Sequence, residues 1–285
     1  MIIETLKQIS NPYDYSTHRL EERDFIGREE YISRIRLILE EYLETAKLKN
    51  IIINGEKSIG KSSLLNRYKQ ILQDYNFIQY EVELSRDTLD PIDEFDFFKE
   101  FFDYLIEEYA PIEDSWLDAI QQEIWFDLTN SEFSHDSSLT ERKIRFATQY
   151  ADKKKGFDVK LSYKSLEKDF QNIMDALMSK NLEFSGLAIL IDEFQELSQN
   201  LFIVDTLRQL SESENVIGLL IIGAGLPVIF NNSSFEKFNR TSVIINLNKL
   251  KEEEILDLIC KPIEKKATIS RYEAQRCFDY GFIIK

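Results

Sequence analysis

The first hundred residues alternate between helical and strand-like hydrophobic patterns. Apolar side chains recur at helical spacing over residues 29–46 and again over residues 61–73, which predicts two amphipathic helices. Between them, residues 51–53 are a β-branched run bounded by Gly55, a pattern typical of a buried strand. Alternating side chains over residues 77–84 predict a second strand.

The second half of the chain continues this alternation. Three apolar segments are predicted strands, at residues 187–191, 216–222 and 243–247. Helical patterns occur at residues 165–180 and 202–210. Strands that alternate with helices form a parallel sheet covered by helices on both faces. The predicted fold class is therefore α/β, a three-layer αβα sandwich around a parallel central sheet.

Composition limits the classes of protein to consider. The 285 residues are 43% hydrophobic and 12% aromatic, so the chain can bury a large core and is not disordered. A net charge of −16 argues against a general nucleic-acid coat, because phosphate binding depends on clustered Lys and Arg. Two cysteines and two histidines, in no Cys/His cluster, predict neither a zinc site nor a disulfide framework. The sequence shows no secretory signal and no membrane-spanning stretch, so we expect a soluble, cytoplasmic protein.

Charge is distributed unevenly through the middle of the chain. Residues 90–136 are rich in Asp and Glu, with Lys99 as their one base and aromatic residues interleaved. This pattern predicts amphipathic helices with solvated acidic faces, and an acidic partner surface is the alternative. Over residues 140–168 the sign reverses and Lys and Arg dominate. We interpret this basic stretch as an exposed connection, with a nucleic-acid or partner patch as the alternative.

A glycine-containing loop follows the first predicted strand. It fits the pattern G-x-x-x-x-G-K-[S/T] throughout and comprises Gly55, Glu56, Lys57, Ser58, Ile59, Gly60, Lys61 and Ser62. Glycines let successive N–H groups point at an anion, and the start of the next helix adds partial positive charge. We expect Lys61 to reach the β- and γ-phosphates of a nucleotide and the Ser62 hydroxyl to ligate Mg²⁺, with Ser63 completing the nucleotide-binding segment. A glycine turn that caps an ordinary helix is the alternative.

Two carboxylates, Asp192 and Glu193, end the apolar strand predicted at residues 187–191. Ligands of open α/β sheets collect at the carboxyl ends of the strands, so this strand can lie next to the phosphate-loop strand. Asp192 would then hold the Mg²⁺ shell, and Glu193 would orient and polarise the attacking water. The alternative is that the pair merely caps a following helix.

A short box precedes the phosphate loop. Residues 25–30, with the sequence Phe-Ile-Gly-Arg-Glu-Glu, are followed by a predicted helix, the loop and the strand ending in Asp-Glu. This order resembles the AAA+ and STAND-type P-loop ATPases, and is most similar to the prokaryotic ATPases that resemble origin-recognition AAA+ proteins. The resemblance implies that Ile26, Gly27 and Arg28 lie beside the adenine, although Arg28 could belong to a plain loop. No guanine-specifying Asn-Lys-x-Asp motif is present in the sequence, which also favours adenine.

Weaker similarities continue downstream. Residues 221–227, Ile-Ile-Gly-Ala-Gly-Leu-Pro, resemble the fourth core strand of these ATPases and the segment after it. The resemblance implies that Arg240 reaches the γ-phosphate of a neighbouring subunit, and a surface ion pair is the alternative. Gly223 and Ala224 stand where many relatives carry a polar side chain that senses the γ-phosphate, which implies slow hydrolysis.

These matches predict three parts of the chain. Residues 1–24 form an N-terminal arm, residues 25–248 a P-loop AAA+-like core with a helical insertion at about 90–168, and residues 249–285 a short or incomplete helical lid. Too few residues follow Leu247 for a complete lid and a winged helix, so we expect a naturally short chain or a truncated form. Arg271 and Arg276 are candidates for the sensor arginine of the lid.

The resemblance implies an ATP-dependent switch. ATP and Mg²⁺ would bind at the carboxyl edge of the sheet, Glu193 would drive hydrolysis, and Arg240 would act in a homo-oligomer or a complex with an effector protein. Control of a partner effector, for instance in a prokaryotic defence system, is implied by resemblance alone. One alternative is a DNA-associated AAA+ loader or regulator in replication or transposition. Another is a scaffold that binds ATP or ADP and barely hydrolyses it.

Overall fold

The computed structural model describes residues 26–84, 93–109, 149, 152–179, 184–231, 233–267, 270–272 and 274–275. Contacts divide the chain into two units, one made of Met1–Ile35 with Asn248–Lys285 and the other of Arg36–Leu247. The predicted N-terminal arm at residues 1–24 lies outside the described residues. Within the described part of the chain, every helix is too short or too polar to cross a membrane.

Strands and helices alternate along the described residues, as the sequence predicts. The strands are β1 (Ile51–Asn54), β2 (Phe77–Glu83), β3 (Gly186–Asp192), β4 (Leu219–Gly225) and β5 (Val243–Asn246). The α-helices are α1 (Glu29–Thr45), α2 (Lys61–Asp74), α3 (Glu94–Tyr109), α4 (Tyr163–Ser179), α5 (Leu201–Glu212), α6 (Val228–Asn231), α7 (Glu236–Thr241) and α8 (Glu252–Ala267). In the described part of the chain, 3₁₀ helices also occur at Phe194–Gln199 and Ser233–Phe235.

The five strands form one parallel sheet with helices on both faces. Their order is β2-β3-β4-β1-β5. Adjacent residues of a strand point to opposite faces, and on β2 the Tyr80 ring lies 5.2 Å from the ring of Phe101 in α3. The neighbouring Gln79 donates from Nε2 to the carbonyl oxygen of Lys69 in α2, at 2.8 Å. The predicted α/β sandwich with a parallel central sheet is therefore confirmed.

The position of β4 differs from the sequence-based expectation in two ways. The strand begins at Leu219, later than predicted, because Gly218 has φ 84°, which lies outside the extended region. The expectation that β3 can lie next to β1 is wrong, since β4 lies between them and pairs with both. The carboxyl ends of β1, β4 and β3 nevertheless share one edge of the sheet.

Helices α3 and α4 bury an aromatic cluster against one face of the sheet. The Phe170 ring of α4 stacks on that of Phe101 of α3, with 4.9 Å between centroids and 11° between planes. It also contacts Phe98 and Phe102 at 6.4 and 5.6 Å. Helix α3 is thus the amphipathic helix predicted for the start of the acidic stretch, with Asp96 on its exposed side. The remainder of that stretch, residues 110–136, lies outside the described residues.

Phe170→Ala is expected to lower the free energy of unfolding by about 3–5 kcal/mol, because it leaves a cavity among three packed rings. Urea unfolding followed by circular dichroism measures the loss. Phe157→Ala is the matched control, since the Phe157 side chain is 62% exposed, and it should change stability by no more than about 0.5 kcal/mol. Equal losses in both variants would contradict the assignment of Phe170 to the core.

Lys153 and Lys154, in the basic stretch, pair with carboxylates at the start of α3. Lys153 Nζ lies 2.5 Å from Asp93 Oδ2 and 4.4 Å from the centroid of the Phe95 ring. Burial alone would raise the pKa of Asp93, but bonds from Lys153 and from two backbone N–H groups lower it. Lys154 lies 3.8 Å from Asp96. Lys154 is exposed, as the interpretation of this stretch as an exposed connection expects, whereas Lys153 is partly buried by its contacts; residues 140–148, 150 and 151 lie outside the described residues.

Candidate functional site

The predicted phosphate loop curls between β1 and α2. Ser58 and Gly60 have positive φ, 64° and 98°, and Gly60 is the N-cap of α2. At Gly55 a Cβ atom would lie 2.7 Å from Cγ2 of Ile59, so a glycine is required for this close approach. No side chain caps the N-terminus of α2 at Gly60. Its first N–H groups and the helix dipole therefore suit an anion.

Lys61 lies inside this loop with 7% of its surface exposed. Its Nζ donates to the carbonyl oxygens of Gly55 at 3.1 Å and Glu56 at 2.8 Å. Burial lowers the pKa of the Lys61 ammonium, while the nearby carboxylates of Glu193 and Asp192 act in the opposite direction. The loop thus holds one cation close to the two acidic residues at the end of β3.

A cavity of about 480 Å³ opens beside this loop, within the usual size range of small-ligand sites. It is lined by Lys57, Ser58, Gly60, Lys61, Ser62, Ser63, Leu84, Glu193 and Leu226. These residues come from the phosphate loop and from the chain at the ends of β2, β3 and β4. Among the predicted loop residues, Gly55 and Glu56 instead present carbonyls to Lys61, and Ile59 packs against Gly55.

Asp192 and Glu193 lie where β3 ends, and both are partly buried. Asp192 Oδ1 accepts the N–H of Glu193 at 2.9 Å. Glu193 has φ 53° and is the N-cap of the 3₁₀ helix, but its side chain makes no capping bond there. The Glu193 side chain lines the cavity, and its role in hydrolysis stays a prediction.

Three residues at this cavity were not predicted from the sequence. Leu84 and Leu226 are apolar residues of the cavity wall. Gln195 forms hydrogen bonds with two residues of that wall, the Glu193 side chain and the backbone N–H of Leu226. The only sequence signal was an amide two residues after the acidic pair. Gly223, near the end of β4, packs against the ring of Phe194, from which a Cβ atom on it would lie 2.7 Å.

The box at residues 26–28 belongs to the unit formed by both ends of the chain. Ile26 and Arg28 are buried, and Gly27 has φ 69°. Arg28 Nη1 donates to the carbonyl oxygen of Asn248 at 2.9 Å. A Cβ atom on Gly27 would lie 2.6 Å from Cδ of Glu254, near the start of α8. The box is therefore packed within its unit, and its contact with adenine stays a prediction.

Arg240 lies on α7, in the other unit, and its side chain is 72% exposed. Its Nη2 pairs with Glu236 one helical turn earlier. It is not among the residues that line the cavity. The surface ion pair that was the alternative is present, and action on a neighbouring subunit stays a prediction.

A five-stranded parallel sheet with a glycine loop and lysine at the end of β1 defines a nucleotide-binding protein of the P-loop class. The chain belongs to the AAA ATPase domain family, whose profile matches residues 24–222. This match confirms the AAA+ ATPase membership and the nucleotide binding predicted from the sequence. No curated protein sequence matches the chain significantly.

Two solved structures are similar to the chain at low identity. The ORC1 protein of Aeropyrum pernix, in complex with DNA, is 15% identical with a TM-score of 0.43, covering 89% of this chain and 52% of that one. VirB4 of Thermoanaerobacter pseudethanolicus is 10% identical with a TM-score of 0.31, covering 79% of this chain and 82% of that one. The chain thus spans about half the length of the ORC1 chain.

Proposed function

We propose that this protein is a Mg²⁺-dependent ATPase whose nucleotide state switches its contacts with a partner effector. The observation that carries the proposal is one cavity that contains the loop lysine Lys61, the start of α2 without a side-chain cap, and the carboxylate of Glu193. A cation and aligned N–H groups bind a triphosphate, and a carboxylate beside them acts on water.

Binding begins with an exchange of partners at Lys61. Its ammonium leaves the carbonyl oxygens of Gly55 and Glu56 and donates to the β- and γ-phosphates, while N–H groups of the loop and of α2 donate to the other phosphate oxygens. For the base, we propose contacts with Ile26, Gly27 and Arg28, on the basis of family membership.

The residues present fit Mg²⁺, which prefers oxygen ligands and usually shares them with nucleotide phosphates. The Ser62 hydroxyl and the Asp192 carboxylate would hold it. Among the described residues, no group of three or more His, Cys, Asp or Glu forms a metal site made of protein alone. When bound, Mg²⁺ neutralises charge on the phosphates.

Hydrolysis requires a base beside the terminal phosphate. Glu193, held at the cavity wall by the turn after β3, orients a water and accepts its proton as the water attacks the γ-phosphorus; the bond from that phosphorus to the β–γ bridging oxygen breaks, and ADP leaves with that oxygen. Arg240 of a neighbouring subunit would stabilise the charge that develops on the γ-phosphate. ATP and ADP then make different contacts, and this difference would favour different arrangements of the subunits or the effector.

One observation favours a second candidate, a scaffold that binds nucleotide and hydrolyses it weakly. The end of β4 carries Gly223 and Gly225, so its side chains offer no polar group to a phosphate. The DNA-associated alternative has less support, because Lys153 and Lys154 of the basic stretch pair with Asp93 and Asp96.

Thermal unfolding with ATP, ADP and GTP, each with and without Mg²⁺, tests the proposed function. At 100 times Kd a nucleotide stabilises the folded state by about 2.7 kcal/mol, so ATP with Mg²⁺ should raise Tm by several degrees. GTP should do so less, and light scattering should show an ATP-dependent change in assembly. An unchanged Tm at millimolar ATP with Mg²⁺ contradicts the proposal, and a raised Tm without turnover supports the scaffold.

A further inference from the structure

The turn that follows β3 packs closely against the end of β4. A Cβ atom on Gly223 would lie 2.7 Å from the ring of Phe194, and one on Gly225 would lie 2.9 Å from Gln195 Oε1. Residues two apart on a strand share a face, so Phe194 and Gln195 lie side by side against the two glycines. Phe194 is fully buried and anchors the turn.

The side chain of Gln195 bridges the two strand ends. It is 6% exposed, and its Oε1 accepts the N–H of Leu226, the residue after β4, at 3.0 Å. Its Nε2 donates to Glu193 Oε2 and, at 3.1 Å, to Glu196 Oε1. An amide has one oxygen and one NH₂ group, so the Leu226 N–H fixes which end faces the carboxylates. Because both ends are bonded and buried, the amide is held in one orientation.

Both ends of this bridge reach the cavity. Glu193 and Leu226 line it, together with Lys61 of the phosphate loop. A change in the backbone after β4 therefore acts on the Leu226 N–H, then on the Gln195 amide, and through it on the Glu193 carboxylate. These contacts connect the end of β4 directly to Glu193, the residue assigned to activate water.

We propose that Gln195 is a positioning residue for ATP hydrolysis, which fixes the position of the Glu193 carboxylate relative to the end of β4. This inference rests on the proposed function, because it requires Glu193 to be the base. Gln195 itself contacts neither ATP nor the attacking water. Its effect falls on the rate of the chemical step and not on nucleotide affinity.

Gln195→Glu removes the donor half of the bridge, since a carboxylate keeps an oxygen for the Leu226 N–H but loses the NH₂ group that holds Glu193. It also places a negative charge beside Glu193, so Gln195→Met, which removes the same NH₂ group without adding a charge, is measured alongside it. The expected result is a fall in kcat of about tenfold to hundredfold, smaller than the loss of a general base itself, with the Kd for ATP unchanged within about twofold. Gln199→Glu is the matched control, since Gln199 is exposed at the end of the same 3₁₀ helix and should leave kcat unchanged.

A double-mutant cycle separates positioning from a structural role. In a Glu193→Gln background the Gln195→Glu change should lower single-turnover ATP hydrolysis no further, because both changes act on one group. Should Gln195→Glu fold poorly, Gln195→Met supplies a neutral side chain of similar length with the same expected fall in kcat.

The outcomes distinguish the role of Gln195 from the proposed function. If Glu193→Gln lowers kcat while Gln195→Glu and Gln195→Met leave it unchanged, or if the two losses multiply in the double variant, the role of Gln195 is wrong and the proposed function stands. If Glu193→Gln turns over ATP as fast as wild type, or wild type does not exceed background, the proposed function fails and the role of Gln195 with it.

Discussion

Lys61→Ala is expected to raise the Kd for ATP by about a hundredfold or more. The ammonium would make charge-assisted bonds to two phosphate groups, and bonds to charged groups contribute about 1.5–3 kcal/mol each. A total loss of about 3–6 kcal/mol corresponds to a factor of at least a hundred in Kd. The side chain lies within the loop and bonds to Gly55 and Glu56, so no other lysine of the loop replaces its geometry. Isothermal titration with a slowly hydrolysed ATP analogue and Mg²⁺ measures the change.

Lys49→Ala is the matched control for this experiment. Lys49 is an exposed lysine shortly before β1, so its removal changes the net charge equally without touching the loop. Its Kd should stay within about twofold of wild type, because exposed charges at a distance are screened by salt. Undiminished ATP affinity in Lys61→Ala would remove the basis for the nucleotide site.

Glu193→Gln is expected to lower kcat by about a hundredfold to ten-thousandfold, the range attributed to a general base. Glutamine keeps the size and the polar contacts of the residue but cannot accept a proton from water. Binding should persist, so the variant should accumulate in its ATP-bound state and shift the light-scattering mass towards that of the wild type with the analogue. Single-turnover hydrolysis of radiolabelled ATP measures the rate.

Glu214→Gln serves as the control for that variant, since Glu214 is exposed in the turn after α5 and should leave the rate unchanged. Equal rates near background in wild type and Glu193→Gln would show that no carboxylate-driven hydrolysis occurs. The scaffold candidate would then replace the ATPase.

Local patterns were sufficient to predict most elements of the fold. The apolar runs at β1 and β3 and the helical spacing in α1 and α2 depend on near neighbours in sequence, and the structure has them within a few residues of the expected bounds. The order of the strands in the sheet could not be predicted in this way, because it depends on how distant segments pack together. The place of β4 between β1 and β3 follows from a strand buried along its whole length, whose terminal glycines accept the turn after β3.

The candidate site was predictable where its chemistry lies in one segment. The phosphate loop and the acidic pair are contiguous in sequence, whereas Gln195 acquires its role only through Leu226, 31 positions later. Lys153 likewise pairs with Asp93 across 60 positions, which the basic composition of its own stretch did not reveal. Periodicity predicts which face of a helix or strand a residue occupies, but not which distant residue contacts it there.

The bonds from Lys61 to the carbonyls of Gly55 and Glu56 have a thermodynamic consequence. Every incoming anion must outcompete two backbone dipoles that already solvate the ammonium, so weakly charged or monodentate ions such as chloride or acetate gain little by entering. A polyphosphate gains more, because it offers several charged oxygens at once. The loop thereby sets an affinity threshold that discriminates against the abundant small anions of the cell.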